Sequence, residues 1–427
     1  MIKSLPCWFL ISLPILCNAQ LTNIDIQKNI TEIKSIDMSD DDFTGYEVIA
    51  KVIGDASIVL LGEQTHGHGT TFIAKTKIIK YLVENHGFDV IAFESGFFEI
   101  NKIWDSELTL TDKLKSVKNE IYSLWSASEE FTFLIDYVRD LNMKGNRLDL
   151  TGFDCKHDMH YGQKNYTSDF HSFLLANKLP IINDPKYAEF KSILEGLVKL
   201  KLNFKEDASS SPKSDQRKLF NQVLDSIRSQ LKIIRQTDES ELWMQEINSL
   251  KMQARNTWTA SKLKGVARLA VRDSAMAENL IWLADHKFKN RKIIVWAASY
   301  HTAKEKNELT FKGISPKSIE LMGSMINLRL PGRVYSLGFV SEGGIYGEWY
   351  KQKFYNYPIN RTPTSLEKLI ASVSAFNYAF IDFQKTSNRN PFLMAGIGYY
   401  EQKAVWNKVF DGIFYIKTMK PPTYLTK

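Results

Sequence analysis

The chain has 427 residues, 44% of them hydrophobic and 24% charged. That balance excludes a disordered polypeptide and leaves enough chain for a large core with a helical addition. The formal charge of +7 comes from Lys and Arg spread along the chain; no basic run alternates with aromatics, so nucleic acid is not an expected partner.

The first residues, MIKSLPCWFLISLPILCNAQ, combine Lys3, an apolar stretch from Cys7 to Cys17 broken by Pro14, and the small residue Ala19 before Gln20. They read as a secretory signal over 1–19, cleaved near Ala19, and so predict an exported protein, periplasmic or extracellular. Read instead as a membrane anchor, the stretch is short of the roughly 20 apolar residues that a span needs. No stable membrane insertion is expected once it is removed. Its removal takes away Lys3, for a charge of +6 (7 − 1), and leaves Cys155 alone of the three cysteines. A lone thiol forms no intramolecular disulfide, so the core must carry the stability.

SIVLL at 57–61 is the first apolar run of the kind a strand buried on both faces shows. Between 71 and 85, Ile73, Ile78, Ile79, Leu82 and Val83 fall at helical spacing, and Gly87 is a natural terminator. FDVIAF at 88–93 follows, which completes a βαβ unit. Further runs are RLDLTGF at 147–153, KIIVWAA at 292–298 and RVYSLGFV at 333–340, with YAFIDF at 378–383 and DGIFYI at 411–416 completing the sheet. Between about 165 and 290 the chain turns rich in Lys, Glu, Gln and Leu, and SSSPKSD at 209–215 reads as a loop between helices. The expected fold is α/β: a mostly parallel central sheet flanked by helices, with a helical insertion capping the carboxyl end of the strands. The expected division is 1–19 signal peptide, 20–164 first part of the core, 165–290 insertion, and 291–427 second part of the core.

In open α/β sheets, ligands bind beyond the carboxyl ends of the strands. Four strand ends here deliver polar groups to that rim. Glu63 and His66 follow the first, Glu94 ends the second, Asp154 ends the third and His301 follows the fourth. An imidazole held by a carboxylate can take a proton from water at neutral pH. Glu63 or Glu94 could orient His66, while His301 could polarise a carbonyl or protonate a leaving alkoxide. Gly62, Gly67 and Gly69 would let backbone N–H groups approach an oxyanion. There is no G-x-S-x-G elbow, and Cys155 reads as a small core residue rather than a nucleophile.

A metal reading uses the same rim, with His66, His68, Asp154 and His301 as ligands. His157 and His160, just after Asp154, could reach it too. Arg272 and Asp273 open a helix whose Met276, Leu280 and Leu283 should pack on the sheet. Arg272 could support a carboxylate or oxyanion there, or the two residues could form a structural ion pair at the helix start. Trp258, Trp282 and Trp296 read as core.

GEQTHGHGTTF, HGFDVIAFES, TGFD, RDSAMAENLIWL and VWAASYH together resemble the erythromycin esterase family, from about residue 55 to about 420. The resemblance implies an α/β core with helical additions and a cleft between them. It also implies a hydrolase of ester or lactone bonds, macrolides among them, that needs no metal or other cofactor. By motif position, His66 would be the general base, Glu63 and Glu94 would orient it or the substrate, and His301 would be the second essential imidazole. Lys75, Asp154 and Arg272 are the expected substrate contacts. Lys75 stands where the family's esterases often carry Arg, and Ala298-Ser299-Tyr300 stands where they tend to have His-Asn. The alternative to a hydrolase is an exported protein that binds metal or haem through the same rim, or a metal-dependent hydrolase.

Overall fold

The computed structural model describes residues 23–199, 212–259, 266–310, 319–350, 353–386 and 388–425. The leader assignment at 1–19 and residues 209–211 of the loop assignment at 209–215 fall outside them. Within the described residues no helix is long and apolar enough to cross a membrane.

The strands are β1 (Ile30–Ile33), β2 (Ile58–Glu63), β3 (Phe88–Gly96), β4 (Asp149–Asp154), β5 (Lys292–Ala298), β6 (Val334–Tyr350), β7 (Lys353–Pro358), β8 (Tyr378–Asp382), β9 (Phe392–Met394), β10 (Gln402–Ala404) and β11 (Gly412–Met419). Nine of them form one sheet in the order β1-β8-β11-β6-β2-β5-β3-β4, with β7 paired to β6, and β9 and β10 form a separate pair. The strands from β11 to β4 run parallel, and β8 turns antiparallel against β11.

The apolar runs are continuous because both faces of the centre are covered. Val59 and Leu61 of β2, Ile91 and Phe93 of β3, and Ile294 and Trp296 of β5 point into one cluster, which the helix Gly69–His86 closes through Phe72 and Ile79. Their alternates, Ile58 and Leu60, Val90 and Ala92, Ile293 and Val295, point into the opposite cluster. There they meet Met276, Leu280 and Leu283, the residues whose spacing put them on the sheet. A strand with side chains alternating between two dry layers has no reason to carry polar residues.

The segment 165–290 contributes to two different bodies. The helices His160–Ala176, Lys186–Lys199, Ser214–Leu231 and Asp238–Thr259 share a core of their own around Phe170, Phe190, Phe220 and Trp243. Phe98, just past β3, and Tyr166, soon after β4, enter the same cluster, so this helical body sits beyond the carboxyl ends of those strands. The helix Val266–Trp282 instead packs on the sheet.

Two local features differ from the sequence reading. Strand β6 runs on past Ser341 to Tyr350, because β7 gives its second half a partner. Gly344 makes the bend, with φ of +100° and a backbone so close to Met419 that a Cβ would strike it. Arg272 and Asp273 do not open their helix, which is already formed at Val266; they project from its middle.

Candidate active site

The parallel register brings the four predicted strand ends together. Glu63 at the end of β2 lies level with Ala298 at the end of β5, and β3 and β4 follow on the next two places in the sheet. A bulge between Phe93 and Gly96, opposite Gly152 to Asp154, interrupts the ladder where Glu94 sits. Bulges of this kind re-aim a side chain at a strand end.

On the β2 side, the buried Glu63 carboxylate is surrounded by donors. Its Oε1 lies 3.1 Å from His66 Nδ1 and accepts from Trp125 Nε1 at 2.8 Å. Its Oε2 accepts from Lys75 Nζ. The Lys75 ammonium also donates to Ala297 O at 3.0 Å and lies 4.6 Å from the centre of the Trp296 ring. Burial lowers the pKa of Lys75, and Glu63 opposes that shift. An ammonium with no exposed surface cannot be a direct substrate contact as the chain stands. Its place is behind Glu63, where it balances the carboxylate charge. The His66 ring keeps 35% of its side chain exposed and presents its other nitrogen away from Glu63. Trp125 packs edge-on against it at 5.1 Å and 86°.

On the β5 side, His301 is held between two carboxylates. Its Nδ1 lies 2.6 Å from Asp273 Oδ1, and its Nε2 lies 3.2 Å from Glu94 Oε1. Burial disfavours the charged ring, but Asp273 and Glu94 outweigh it and raise the pKa to about 10. Burial pushes the Asp273 carboxyl upward; the imidazole, facing a second anion in Glu94, is the group that keeps the shared proton. Burial likewise opposes the charge of Glu94, yet His301 and Arg272 hold its pKa well below the usual range.

Arg272 ties this side together. Its Nη2 donates to Glu94 Oε1 at 2.8 Å and to Asp154 Oδ2 at 2.6 Å, while Nε donates to the same Asp154 oxygen at 2.9 Å. Its Nη1 lies 3.3 Å from His301 Nε2. With His301 charged both of those groups are donors, so that contact is a close approach of two cations kept in place by three carboxylates. Tyr122 donates to Asp154 Oδ2 at 2.9 Å. One turn of chain, Tyr122 to Trp125, therefore touches both sides of the site.

Several sequence expectations take a different form. The missing Cβ atoms of Gly62, Gly67 and Gly69 make room for Ser299 and Thr302, for Gly347 and for Pro421 respectively, so these glycines serve chain packing. His68 is buried, and its pKa falls to about 3 through burial and the nearby Arg361. His157 does not join the rim: Nδ1 lies 2.6 Å from Glu99 and Nε2 lies 2.8 Å from Glu246, inside the helical body. His160 is exposed. Among the described residues no group of three or more His, Cys, Asp or Glu has the arrangement of a metal site. Burial pushes the Cys155 thiol well above its usual range, as suits a core residue. Trp258 and Trp296 are buried in the clusters.

Asp273 was legible only as a possible ion-pair partner, and Trp125 and Tyr122 carried no signal at all. The segment SLWSAS has no period or motif that separates a site tryptophan from a core one.

A family model described as erythromycin esterase matches residues 83–419, a span that includes Glu94, Asp154, Arg272 and His301 and begins after Glu63, His66 and Lys75. The Bacillus subtilis (strain 168) protein named "Putative hydrolase YbfO" is 28% identical over 401 residues, which are 87% of this chain and 86% of that one. Erythromycin esterase type II of Escherichia coli is 22% identical over 403 residues, covering 88% of this chain and 93% of its own. Among solved structures, a mutant of the erythromycin esterase EreC in its open conformation superposes with a TM-score of 0.73 at 17% identity, over 93% of this chain and 99% of that one.

Proposed function

The chain belongs to the erythromycin esterase family of hydrolases, and from that premise we propose that it cleaves an ester or lactone bond by direct attack of water, with no metal and no covalent enzyme intermediate. The observation that carries the reading is the pair of imidazoles, each with its Nδ1 on a buried carboxylate, at the carboxyl ends of two adjacent strands. His66 is the general base. Its outward nitrogen takes a proton from water, and Glu63 keeps the tautomer that leaves this nitrogen free and stabilises the imidazolium that forms. The new C–O bond leaves a tetrahedral oxyanion facing the cations Arg272 and His301. As the C–O bond to the alcohol breaks, the His301 imidazolium supplies the proton of the leaving alkoxide. The products are a carboxylic acid and an alcohol. Asp273, Glu94 and Asp154 hold the two cations in place, and Lys75 fixes Glu63 from behind.

The substrate is a small ester or lactone, and macrolides are the first to test. We further propose that the protein works outside the cytoplasm, which the signal-like residues 1–19 support; the amino terminus of the exported chain, read by mass spectrometry, should fall near Gln20. The function is tested by a screen of esters and lactones, macrolides included, on the wild type beside His66→Ala, with and without a chelator. Turnover by the wild type that the variant lacks and the chelator spares is expected. An equally active variant, or activity lost to the chelator, would refute the mechanism.

A further inference from the structure

Strand β6 does not stop where its partner β2 does. Its residues beyond Gly344 pair with β7, Tyr346 opposite Tyr357 and Glu348 opposite Tyr355, and this hairpin stands past the carboxyl edge of the sheet beside the His66 loop. Side chains alternate along a strand, so these four share one face. On that face the Tyr346 ring stacks on Tyr357 at 5.2 Å and on Tyr399 at 4.2 Å, and Tyr355 lies 6.4 Å beyond Tyr357. The result is a ladder of four tyrosines. It is fastened to the catalytic loop on both sides of His66. Thr65 Oγ1 donates to the Tyr399 hydroxyl at 2.6 Å, and Gly347 N donates to Gly67 O at 2.9 Å.

The outer rungs are exposed, Tyr355 by 43% and Tyr357 by 38%. Contiguous aromatic surface of this kind marks an interaction site. Its chemistry narrows the partner. Tyrosine combines an apolar ring with a hydroxyl, so the two exposed rungs offer apolar carbon and hydrogen-bonding groups together. Glu348 adds an acceptor and disfavours an anionic ligand. The exposed Ile345 alternates to the other face, so no aliphatic side chain of the strand joins the strip.

We propose that this ladder is a saccharide subsite: it takes the polyhydroxylated rings of an acylated sugar and so presents the ester to His66. The position of the ester rests on the esterase reading above, whereas the sugar rests on the ladder alone. The test has two arms. In the first, the wild type and Tyr357→Ala are titrated by calorimetry with maltotriose, cellotriose and N,N′,N″-triacetylchitotriose. In the second, kcat/KM is compared for an acetylated cellotriose and for p-nitrophenyl acetate.

Saturable binding of at least one trisaccharide is expected, about tenfold weaker in the variant, with a similar fall in the ratio of the two kcat/KM values. No saturable binding, or equal binding by both proteins, overturns the proposal. Tighter binding of a 2-naphthyl ester than of any sugar, with a further gain in Tyr357→Phe, overturns it in favour of a plain apolar surface. The titration needs no turnover, so a protein that hydrolyses neither ester would count against the esterase reading and leave the saccharide result to stand or fall by itself.

Discussion

His66 and His157 are built from the same parts. Each imidazole has Nδ1 on a buried glutamate, His66 on Glu63 at 3.1 Å and His157 on Glu99 at 2.6 Å. They differ at the other nitrogen. That of His157 lies 2.8 Å from Glu246, and its ring is sealed against Tyr166 at 4.0 Å and Phe98 at 6.3 Å. The His66 side chain is 35% exposed, and its outward nitrogen faces the rim. Two anions hold His157 as a cation behind a closed aromatic wall. Burial opposes that charge, but Glu99 and Glu246 overcome it and lift the pKa to about 10. The contrast leaves His157 as a fastener joining the helical body to the core, whereas His66, the base of the proposed reaction, keeps a nitrogen that no carboxylate occupies.

The largest test of that contrast exchanges the two roles. His66→Gln should lower kcat by about 10²- to 10⁴-fold, the usual worth of a general base, with the thermal midpoint little changed. His157→Gln should do the reverse. It leaves Glu99 and Glu246 buried with no cation between them, at a cost of about 3–5 kcal/mol of folding stability, while the surviving folded protein keeps most of its kcat. Urea denaturation and initial rates on both variants decide it, and a His66→Gln protein that unfolds early would break the comparison.

Next in size is Asp273→Asn. His301 then keeps its proton on Glu94 alone, beside Arg272. The expected result is a fall in kcat of about 10²-fold, with the alkaline limb of the rate profile moving to lower pH, because the acid now ionises earlier. An unchanged alkaline limb would remove His301 from the role of general acid.

A smaller effect is expected at Trp125. Trp125→Phe keeps the ring edge against His66 and removes only the N–H that donates to Glu63. A fall in kcat of about tenfold with KM unchanged is expected, in line with one lost hydrogen bond to a charged group. A change confined to KM would show that the tryptophan touches substrate instead.

The smallest is a stability difference with pH. The folded pKa of His157 is raised above its unfolded value. Its contribution is therefore complete below about pH 6.5 and is lost as pH rises through about 10. The thermal midpoint advantage of wild type over His157→Gln should shrink across that window, and an advantage that grows with pH would reverse the assigned charge.

The strands were legible because the centre of the sheet is dry on both faces: SIVLL, FDVIAF and KIIVWAA have no competing helical period, and the first two run straight into Gly62-Glu63 and Glu94. The rim could be read for the same reason. In a parallel sheet every strand ends on the same side, so a polar residue after each apolar run must converge with the others. Lys75 shows where this reasoning stops. Its position nine residues after His66 puts it near the rim, but the direction of its ammonium, inward onto Glu63 and Trp296, is set by packing between the helix Gly69–His86 and the sheet. Trp125 and Tyr122 lie further beyond reach, since their partners are 62 and 32 residues away in the chain.

The amino-acid order by itself determined the parallel core, its helical addition, and the presence of Glu63, His66, Glu94, Asp154 and His301 at strand ends, because hydrophobic period and strand direction are local properties of the chain. Only the tertiary structure decided which histidine nitrogens meet a carboxylate, that Arg272 and Asp273 project from the middle of a helix, and that Lys75 stands behind Glu63. Those are matters of burial and of charges meeting across long sequence separations, and a pairing energy that depends on a few tenths of an ångström has no signature in any stretch of sequence.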